Sequence, residues 1–168
     1  VYYLSANRNK RSIAVNFRSA EGLALLRDLA LKSDVVIENF RAGTMAEIGL
    51  DPAELQRQKP ALIVASLSGF GSSGPLAGRP GFDQIAQGYS GFMSITGTEE
   101  AGPTRVGLAI GDLTAGMWLA IGVLSALMGR QRHGQGQVLE TSLYSSLVSL
   151  LSVQGQRYLS LGEVAASN

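Results

Sequence analysis

Hydrophobic and polar residues alternate along the chain in a way that predicts strands separated by helices. Residues 12–17 alternate polar and apolar side chains, as expected of a strand with one covered face. Residues 34–38 and 61–67 are nearly continuous apolar runs, which are typical of parallel strands covered on both faces. Residues 137–140 are predicted to form a further strand.

Helices are predicted between these strands from capping residues and apolar spacing. Ser19 is a suitable N-cap for a helix over residues 19–32, whose leucines form one apolar stripe. Asp51, followed by Pro52 and Glu54, predicts another helix start with a capping box. Further helices are predicted over residues 83–88, 112–128 and 142–161.

This order of elements predicts an α/β fold, a Rossmann-like parallel sheet with flanking helices. Such sheets bind ligands at the carboxyl ends of their strands, which here are residues 16–18, 38–41 and 66–69. The loop at residues 68–81 then holds five glycines and two prolines. A connector of that length in a compact domain is usually functional, so these segments are where a site is expected.

Composition narrows the chemistry. The chain has 168 residues, which suit one domain or a piece of one, and it begins with Val1 rather than methionine, so we expect an excised segment. With 14 basic and 13 acidic side chains it lacks the charge of a nucleic-acid binder. It has no cysteine and only one histidine, which excludes thiolate nucleophiles and a multi-histidine site, and no metal is expected.

One apolar stretch resembles a membrane span. Between Arg105 and Arg130 the only charged residue is Asp112. The uninterrupted run, residues 113–128, is shorter than the roughly 18–20 residues that a span needs. We therefore expect a buried helix in a soluble, cytoplasmic protein that does not bind a membrane.

The glycine-rich loop contains a literal G-x-G-x-x-G pattern at residues 69–74. A dinucleotide site needs a helix directly after the last glycine, and Pro75, Pro80 and the further glycines prevent one. The loop is better suited to covering a ligand than to cradling a pyrophosphate.

Three other features were weighed as chemistry. His133 follows a polar helix end, where it is expected to lie at the surface, and no G-x-S-x-G elbow supports a hydrolase. The cations of residues 7–11, with Arg18 and Arg41, suit the phosphates of a small anionic ligand or form a solvated basic turn, and charge alone leaves both open. Asp112 is predicted by spacing alone to be an N-cap, while its small neighbours would also suit a poorly hydrated nucleophile.

Several motifs, in this order and spacing, resemble the class III CoA-transferase family, which includes the α-methylacyl-CoA racemases. The resemblance covers essentially the whole chain. Its motifs are Asn-Lys-Arg-Ser-Ile at 9–13, Val-Ile-Glu-Asn-Phe-Arg-Ala-Gly at 36–43, Ser-Gly-Phe-Gly at 68–71 with Gly-Pro at 74–75, Arg-Pro-Gly-Phe-Asp-Gln-Ile-Ala-Gln at 79–87, Gly-Asp at 111–112 with Gly116, and Gly-Gln-Gly-Gln at 134–137.

The resemblance implies that residues 1–168 are a fragment of the family's large domain. The domain's first strand, its C-terminal part and the small domain would be absent, so the fragment alone could be inactive. The whole protein would be an interlocked homodimer. The resemblance further implies that Asp112 is the catalytic nucleophile, and it places the binding of coenzyme A, or of acyl-CoA as substrate, at these residues: Val15, Asn16, Phe17, Arg18, Asn39, Phe40, Arg41, Phe82 and Asp83.

The reaction implied is transfer of coenzyme A from an acyl-CoA thioester to a small carboxylic acid. It would pass through an aspartyl acyl anhydride and an aspartyl-CoA thioester. Racemases resemble this pattern but carry a histidine where this chain has Phe82, so racemase activity is the disfavoured alternative. A non-catalytic nucleotide-binding module is the other alternative. Glu47 stands where relatives often have an arginine, which makes one phosphate contact doubtful.

Overall fold

The alternating pattern folds into a parallel sheet covered by helices on both faces. The computed structural model describes residues 1–166, apart from the side chain of Tyr2. The strands are β1 (Val35–Glu38), β2 (Ile63–Ser68) and β3 (Val138–Ser142). The helices are α1 (Tyr2–Ala6), α2 (Ala20–Lys32), α3 (Thr44–Glu47), α4 (Pro52–Gln58), α5 (Asp83–Tyr89), α6 (Ile110–His133), α7 (Leu143–Leu150) and α8 (Ser152–Leu161), with a 3₁₀ turn at Phe92–Ile95.

The sheet has the order β1-β2-β3, and both pairings are parallel. Val36 pairs with Val64, and Val64 pairs in turn with Val138. All three strands therefore end at the same edge of the sheet, near Glu38, Ser68 and Ser142. The predicted α/β fold with a parallel sheet is confirmed.

Two apolar cores flank the sheet. One lies beneath α2, α3 and α4, and its buried residues are Ala30, Met45, Leu50, Leu55, Leu62 and Val64. The other lies beneath α5, α6 and α7, and its buried residues are Ala86, Ala115, Leu143 and Leu147. Because successive side chains of a strand point to opposite faces, β2 contributes Val64 to the first core and Leu67 to the second.

The strand predicted at residues 12–17 is not formed. These residues are irregular, and the side chains of Ile13 and Phe17 are 64% and 42% exposed. A strand needs the backbone of a neighbour, and among residues 1–166 the three strands pair only with one another. β1 is consequently an edge strand with Ile37 63% exposed, so the prediction of two covered faces is right for β2 and wrong for β1.

The helix starts follow their capping residues closely. The Ser19 hydroxyl accepts a hydrogen bond from the Gly22 N–H at the start of α2. Asp51 does the same for the Glu54 N–H at the start of α4. The predicted capping box is only half formed, because the Glu54 carboxylate turns to Arg57 and Gln58 instead of the Asp51 N–H.

The last predicted helix is two helices. Residues 142–161 bend at Leu151, whose N–H bonds to the carbonyl of Val148 in a tighter turn than an α-helix makes. The amphipathic pattern continues through the bend, so the sequence did not reveal it.

α6 is covered on one side only, which corrects the prediction of a buried helix. Gly111, Ala115, Leu119 and Ala126 are buried and form the stripe that faces the sheet and α7. The opposite stripe is apolar and exposed, and consists of Leu113, Met117, Ile121, Leu124 and Met128. By length and composition this helix could cross a membrane. Its buried stripe instead packs it onto β2 and β3.

Candidate active site

Asp112 lies in the first turn of the longest helix. α6 begins after Ala109, so Asp112 is its third residue and the N-cap interpretation is wrong. The side chain of Asp112 is exposed enough to meet a ligand. Partial burial, and then the negative charge of Asp83, raise the pKa of the Asp112 carboxyl above its usual value.

The start of α6 is capped from another helix. Ala109 offers no side-chain cap, and the Gly111 N–H donates instead to Asp83 Oδ1 at 2.7 Å. Asp83 is the first residue of α5 and is only 8% exposed. A carboxylate bound to a helix N-terminus is stabilised by the free N–H groups and the helix dipole, so Asp83 does the work of an N-cap across the chain.

Gln87 completes this arrangement from inside the fold. Its side chain is fully buried, and its Nε2 donates to Asp83 Oδ2 at 2.6 Å. Its Oε1 accepts from the Val106 N–H at 2.9 Å. Sequence analysis missed Gln87, although its position four residues after Asp83 puts both side chains on one face of a helix.

Glycine is required next to Asp112. A Cβ on Gly111 would lie 3.0 Å from Asp83 Oδ1 and 3.2 Å from Leu147 Cδ1. α5, α6 and α7 meet at this point, and only the absence of a side chain lets them approach so closely. The Gly-Asp pair is therefore tied to the packing of three helices.

The other predicted contacts on this side are Phe82 and Asp83. Phe82 precedes α5 and is 74% exposed, so its ring is free of the core and accessible to a ligand. Asp83 uses one carboxylate oxygen on Gly111 and the other on Gln87. Contact of either residue with a coenzyme stays a prediction.

The loop after β1 places Asn39, Phe40 and Arg41 at the carboxyl edge of the sheet. Asn39 Nδ2 donates to the carbonyl of Leu67 at 2.7 Å, which ties this loop to the end of β2. The Phe40 N–H donates to Glu38, and the Phe40 ring is 46% exposed. Two of the predicted carboxyl ends are thereby brought together.

Arg41 is already paired. Its guanidinium lies 2.7 Å from Glu47 Oε1, and both side chains are about half exposed. Glu47 is the residue that departs from the family pattern, and it neutralises one of the predicted coenzyme contacts. An anionic ligand at Arg41 would have to compete with this carboxylate.

Val15, Asn16, Phe17 and Arg18 form a turn that leads into α2. Asn16 Oδ1 accepts from the Arg18 N–H, and its carbonyl accepts from the Ser19 hydroxyl. Val15 is half-buried, whereas the following three residues are exposed. These contacts are local, so a shared site with the 39–41 loop or Asp112 stays a prediction.

The glycine-rich loop is closed at its base and open at its tip. A Cβ on Gly69 would lie 2.6 Å from Gly81 Cα, so the two ends of the loop touch. Phe70 is buried beside Tyr89 and Tyr144, with ring centroids 5.4 and 5.9 Å away. As predicted, no helix follows the motif directly, since α5 begins only at Asp83.

Glu140 clamps the same loop from β3. Its carboxylate accepts hydrogen bonds from both the N–H and the hydroxyl of Ser72. Sequence analysis missed Glu140, because its partner lies 68 residues away along the chain. A cavity of about 220 Å³ adjoins the clamp, and Glu38, Glu140, Ser66 and Ser68 are among its lining residues. Its acidic walls make it a poor site for phosphates.

The remaining polar candidates lie at the surface. His133 ends α6 and is exposed, as predicted, and Gly134 follows in the left-handed conformation with φ 72°. Residues 8–11 are exposed, with Lys10 Nζ bonded to the carbonyl of Ala6. Among the described residues, no three histidine, aspartate or glutamate side chains come together as a metal site.

A parallel α/β sheet with an aspartate at the exposed start of its longest helix defines the class of this chain, and comparison specifies it. The chain belongs to CoA-transferase family III, whose model matches residues 1–168. A crystal structure of a CAIB/BAIF family protein from Brucella suis has the same fold, with a TM-score of 0.94 and 39% identity. It covers 99% of this chain and 44% of that one.

Two relatives have named activities. The chain is 41% identical to a succinate–glutarate CoA-transferase of Agrobacterium fabrum over 161 residues, which are 96% of this chain and 40% of that protein. It is 40% identical to an acetyl-CoA:oxalate CoA-transferase of Acetobacter aceti over 152 residues, 90% and 39% of the respective lengths. The chain thus spans about two fifths of the length of these relatives.

Proposed function

We propose that this chain carries the nucleophile and part of the coenzyme site of an acyl-CoA:carboxylate CoA-transferase. The observation that carries the proposal is the position of Asp112. Its carboxylate stands exposed at the start of α6, with its neighbour Gly111 bound to Asp83. Membership of CoA-transferase family III and relatives named for succinate, glutarate and oxalate support this reaction class.

In the first half-reaction, a carboxylate oxygen of Asp112 attacks the carbonyl carbon of the donor thioester. The C–S bond breaks, CoA leaves as the thiolate, and a mixed anhydride forms on Asp112. The thiolate then attacks the aspartyl carbonyl and expels the donor acid as its carboxylate. The product of this half is a thioester between Asp112 and CoA.

The second half-reaction reverses these steps with another acid. The acceptor carboxylate attacks the aspartyl thioester, which releases CoA thiolate and leaves the acceptor as a mixed anhydride. The thiolate attacks the acceptor's carbonyl, forms the new acyl-CoA and frees the Asp112 carboxylate. No proton and no redox equivalent is consumed, so a single carboxylate suffices.

The raised pKa of Asp112 supports this role. A carboxylate that is partly removed from water and lies near another negative charge is less stabilised than a solvated one, and so more reactive as a nucleophile. The anhydride must also be kept from water. The glycine-rich loop, pinned at Gly69 and Gly81 but exposed at its tip, is the segment we assign to that task.

Coenzyme A is assigned to the carboxyl edge of the sheet. The exposed groups available there are Asn16, Phe17 and Arg18 at one turn, Phe40 and Arg41 at another, and Phe82 before α5. Arginines suit the phosphates, and the aromatic rings suit the adenine or the acyl group. Val15, Asn39 and Asp83 would contribute backbone and shape, because their side chains are half-buried or already bonded.

The whole protein is proposed to be a cytoplasmic homodimer of interlocked subunits. The exposed apolar stripe of α6 supports a covering layer, since a soluble surface rarely leaves so large an apolar face open. That layer would come from the rest of the protein or from the second subunit.

The test is CoA exchange by the whole protein that contains this chain. Succinyl-CoA, acetyl-CoA and other donors are offered with glutarate, oxalate and further acids, and new acyl-CoA is followed by chromatography. We expect exchange by the natural sequence and loss of at least about 10³-fold in Asp112→Asn, since the amide cannot form the anhydride. Undiminished exchange by Asp112→Asn would reject the nucleophile.

The racemase alternative is separated by an isotope. In heavy water, a racemase incorporates deuterium at the carbon next to the thioester without exchanging acids. Phe82 has no proton to move, so we expect exchange of acids without deuterium incorporation.

A further inference from the structure

Gln87 is the most deeply buried polar side chain near Asp112, and the proposed chemistry does not use it. It is fully buried in α5, and every polar atom of its amide has a partner. Nε2 donates to Asp83 Oδ2 at 2.6 Å and reaches the Leu108 carbonyl at 3.4 Å, while Oε1 accepts from the Val106 N–H at 2.9 Å.

These partners lie in the segment that leads directly into the catalytic turn. Val106 and Leu108 precede α6, and Asp83 holds the N–H of Gly111 in its first turn. One amide and one carboxylate thus attach residues 106–111 to α5. Asp112 is the next residue along this tethered stretch.

We infer that Gln87 is a positioning residue, which through Asp83 and the backbone of residues 106–111 fixes where the Asp112 carboxylate stands. This inference rests on the proposed function, because it matters only if Asp112 reacts.

The polarity of the contacts explains why an amide is required. Asp83 can only accept, and the Val106 N–H can only donate, so the side chain between them must present one donor and one acceptor. Glutamine does this without a charge. A glutamate at position 87 would bring a second carboxylate against Asp83 in a buried place, and a methionine would leave both partners unsatisfied.

The same logic supplies a rescue. In Asp83→Asn alone, two amide groups meet with donors facing each other. In the double variant Asp83→Asn with Gln87→Glu, the asparagine oxygen accepts from Gly111 and its NH₂ donates to the glutamate. The glutamate's second oxygen accepts from Val106. The hydrogen bonds return, and the number of carboxylates is unchanged.

The experiment measures kcat and KM for acyl-CoA in the whole protein for both single variants and the double variant. A misplaced nucleophile lowers kcat without altering coenzyme binding, so each single variant should lose about 10- to 100-fold in kcat with KM changed less than about threefold. The double variant should return to within about fivefold of the natural kcat.

A destabilised control separates positioning from stability. Leu55→Val thins the core on the opposite face of the sheet and should lower the unfolding temperature by a few degrees while leaving kcat unchanged. Gln87→Met removes the same hydrogen bonds without adding charge and replaces Gln87→Glu if that variant does not fold.

The inference is overturned if the single variants keep their kcat, if KM changes as much as kcat, or if the double variant is as slow as the single ones. The proposed function fails separately. In that case the natural sequence transfers no CoA, or Asp112→Asn transfers it equally well, and both claims are lost together.

Discussion

Asp83 and Asp112 share one helix start: Asp83 accepts a hydrogen bond from the residue before Asp112, and its charge raises the pKa of the Asp112 carboxyl. One carboxylate is buried and bonded, and the other is exposed and less stabilised. The two acids therefore have different roles, with Asp83 structural and Asp112 available for chemistry.

Asp112→Asn should stabilise the protein at neutral pH. A carboxyl whose pKa is raised by folding favours the folded state only while it is protonated, and this contribution is lost as the pH rises through the folded pKa. An amide has no such loss. The unfolding temperature of Asp112→Asn should exceed that of the natural sequence at pH 7, and the two should converge in acid. A lower unfolding temperature at pH 7 would contradict this.

Asp83→Asn should shift the pH dependence of the remaining activity. Removing one negative charge lowers the pKa of Asp112 toward its ordinary value, although burial, the larger cause, remains. The acidic limb of the kcat/KM profile should therefore move to lower pH. Asp34→Asn removes a carboxylate paired with Arg130 beside the start of β1 and should leave the limb in place.

Glu47→Ala should tighten the binding of acyl-CoA. It frees Arg41 from a competing carboxylate, and KM should fall by about two- to fivefold. Stability should change by less than about 1 kcal/mol, because exposed ion pairs contribute little. Glu54→Ala breaks the exposed pair with Arg57 on α4 and is the matched control. An unchanged KM in Glu47→Ala would remove Arg41 from the proposed coenzyme site.

The two glycines near the start of α6 should respond oppositely to alanine. Gly111→Ala places a methyl group against Asp83 and Leu147 and should cost about 1–3 kcal/mol of unfolding free energy. A Cβ on Gly116 meets nothing within 4 Å, so Gly116→Ala should stabilise the helix by up to about 1 kcal/mol. Chemical denaturation measures both, and equal effects would contradict the close packing at Gly111.

The local parts of this fold were predictable, because their causes lie within a few residues. Ser19 and Asp51 cap the helices that they were expected to start, and the apolar run at residues 61–67 is a buried strand. Residues 12–17 failed because an alternating pattern cannot supply a partner strand. Leu151 failed because an amphipathic pattern is continuous through a bend.

The candidate site was predictable only in part. The sequence indicated Asp112, and the order of strands indicated the edge where Asn39 meets Leu67. Gln87 and Glu140 were missed, since their partners Val106 and Ser72 are 19 and 68 residues away along the chain. Hydrogen bonds over such distances leave no periodic signal in a single sequence.

The most direct test of the central claim is chemical trapping of Asp112. The whole protein is incubated with an acyl-CoA donor and treated with borohydride or hydroxylamine, and the peptide that contains Asp112 is examined by mass spectrometry. We predict a modified Asp112 in the natural sequence and an unmodified peptide in Asp112→Asn or without acyl-CoA. A natural protein that exchanges acids while its Asp112 peptide stays unmodified would contradict the account.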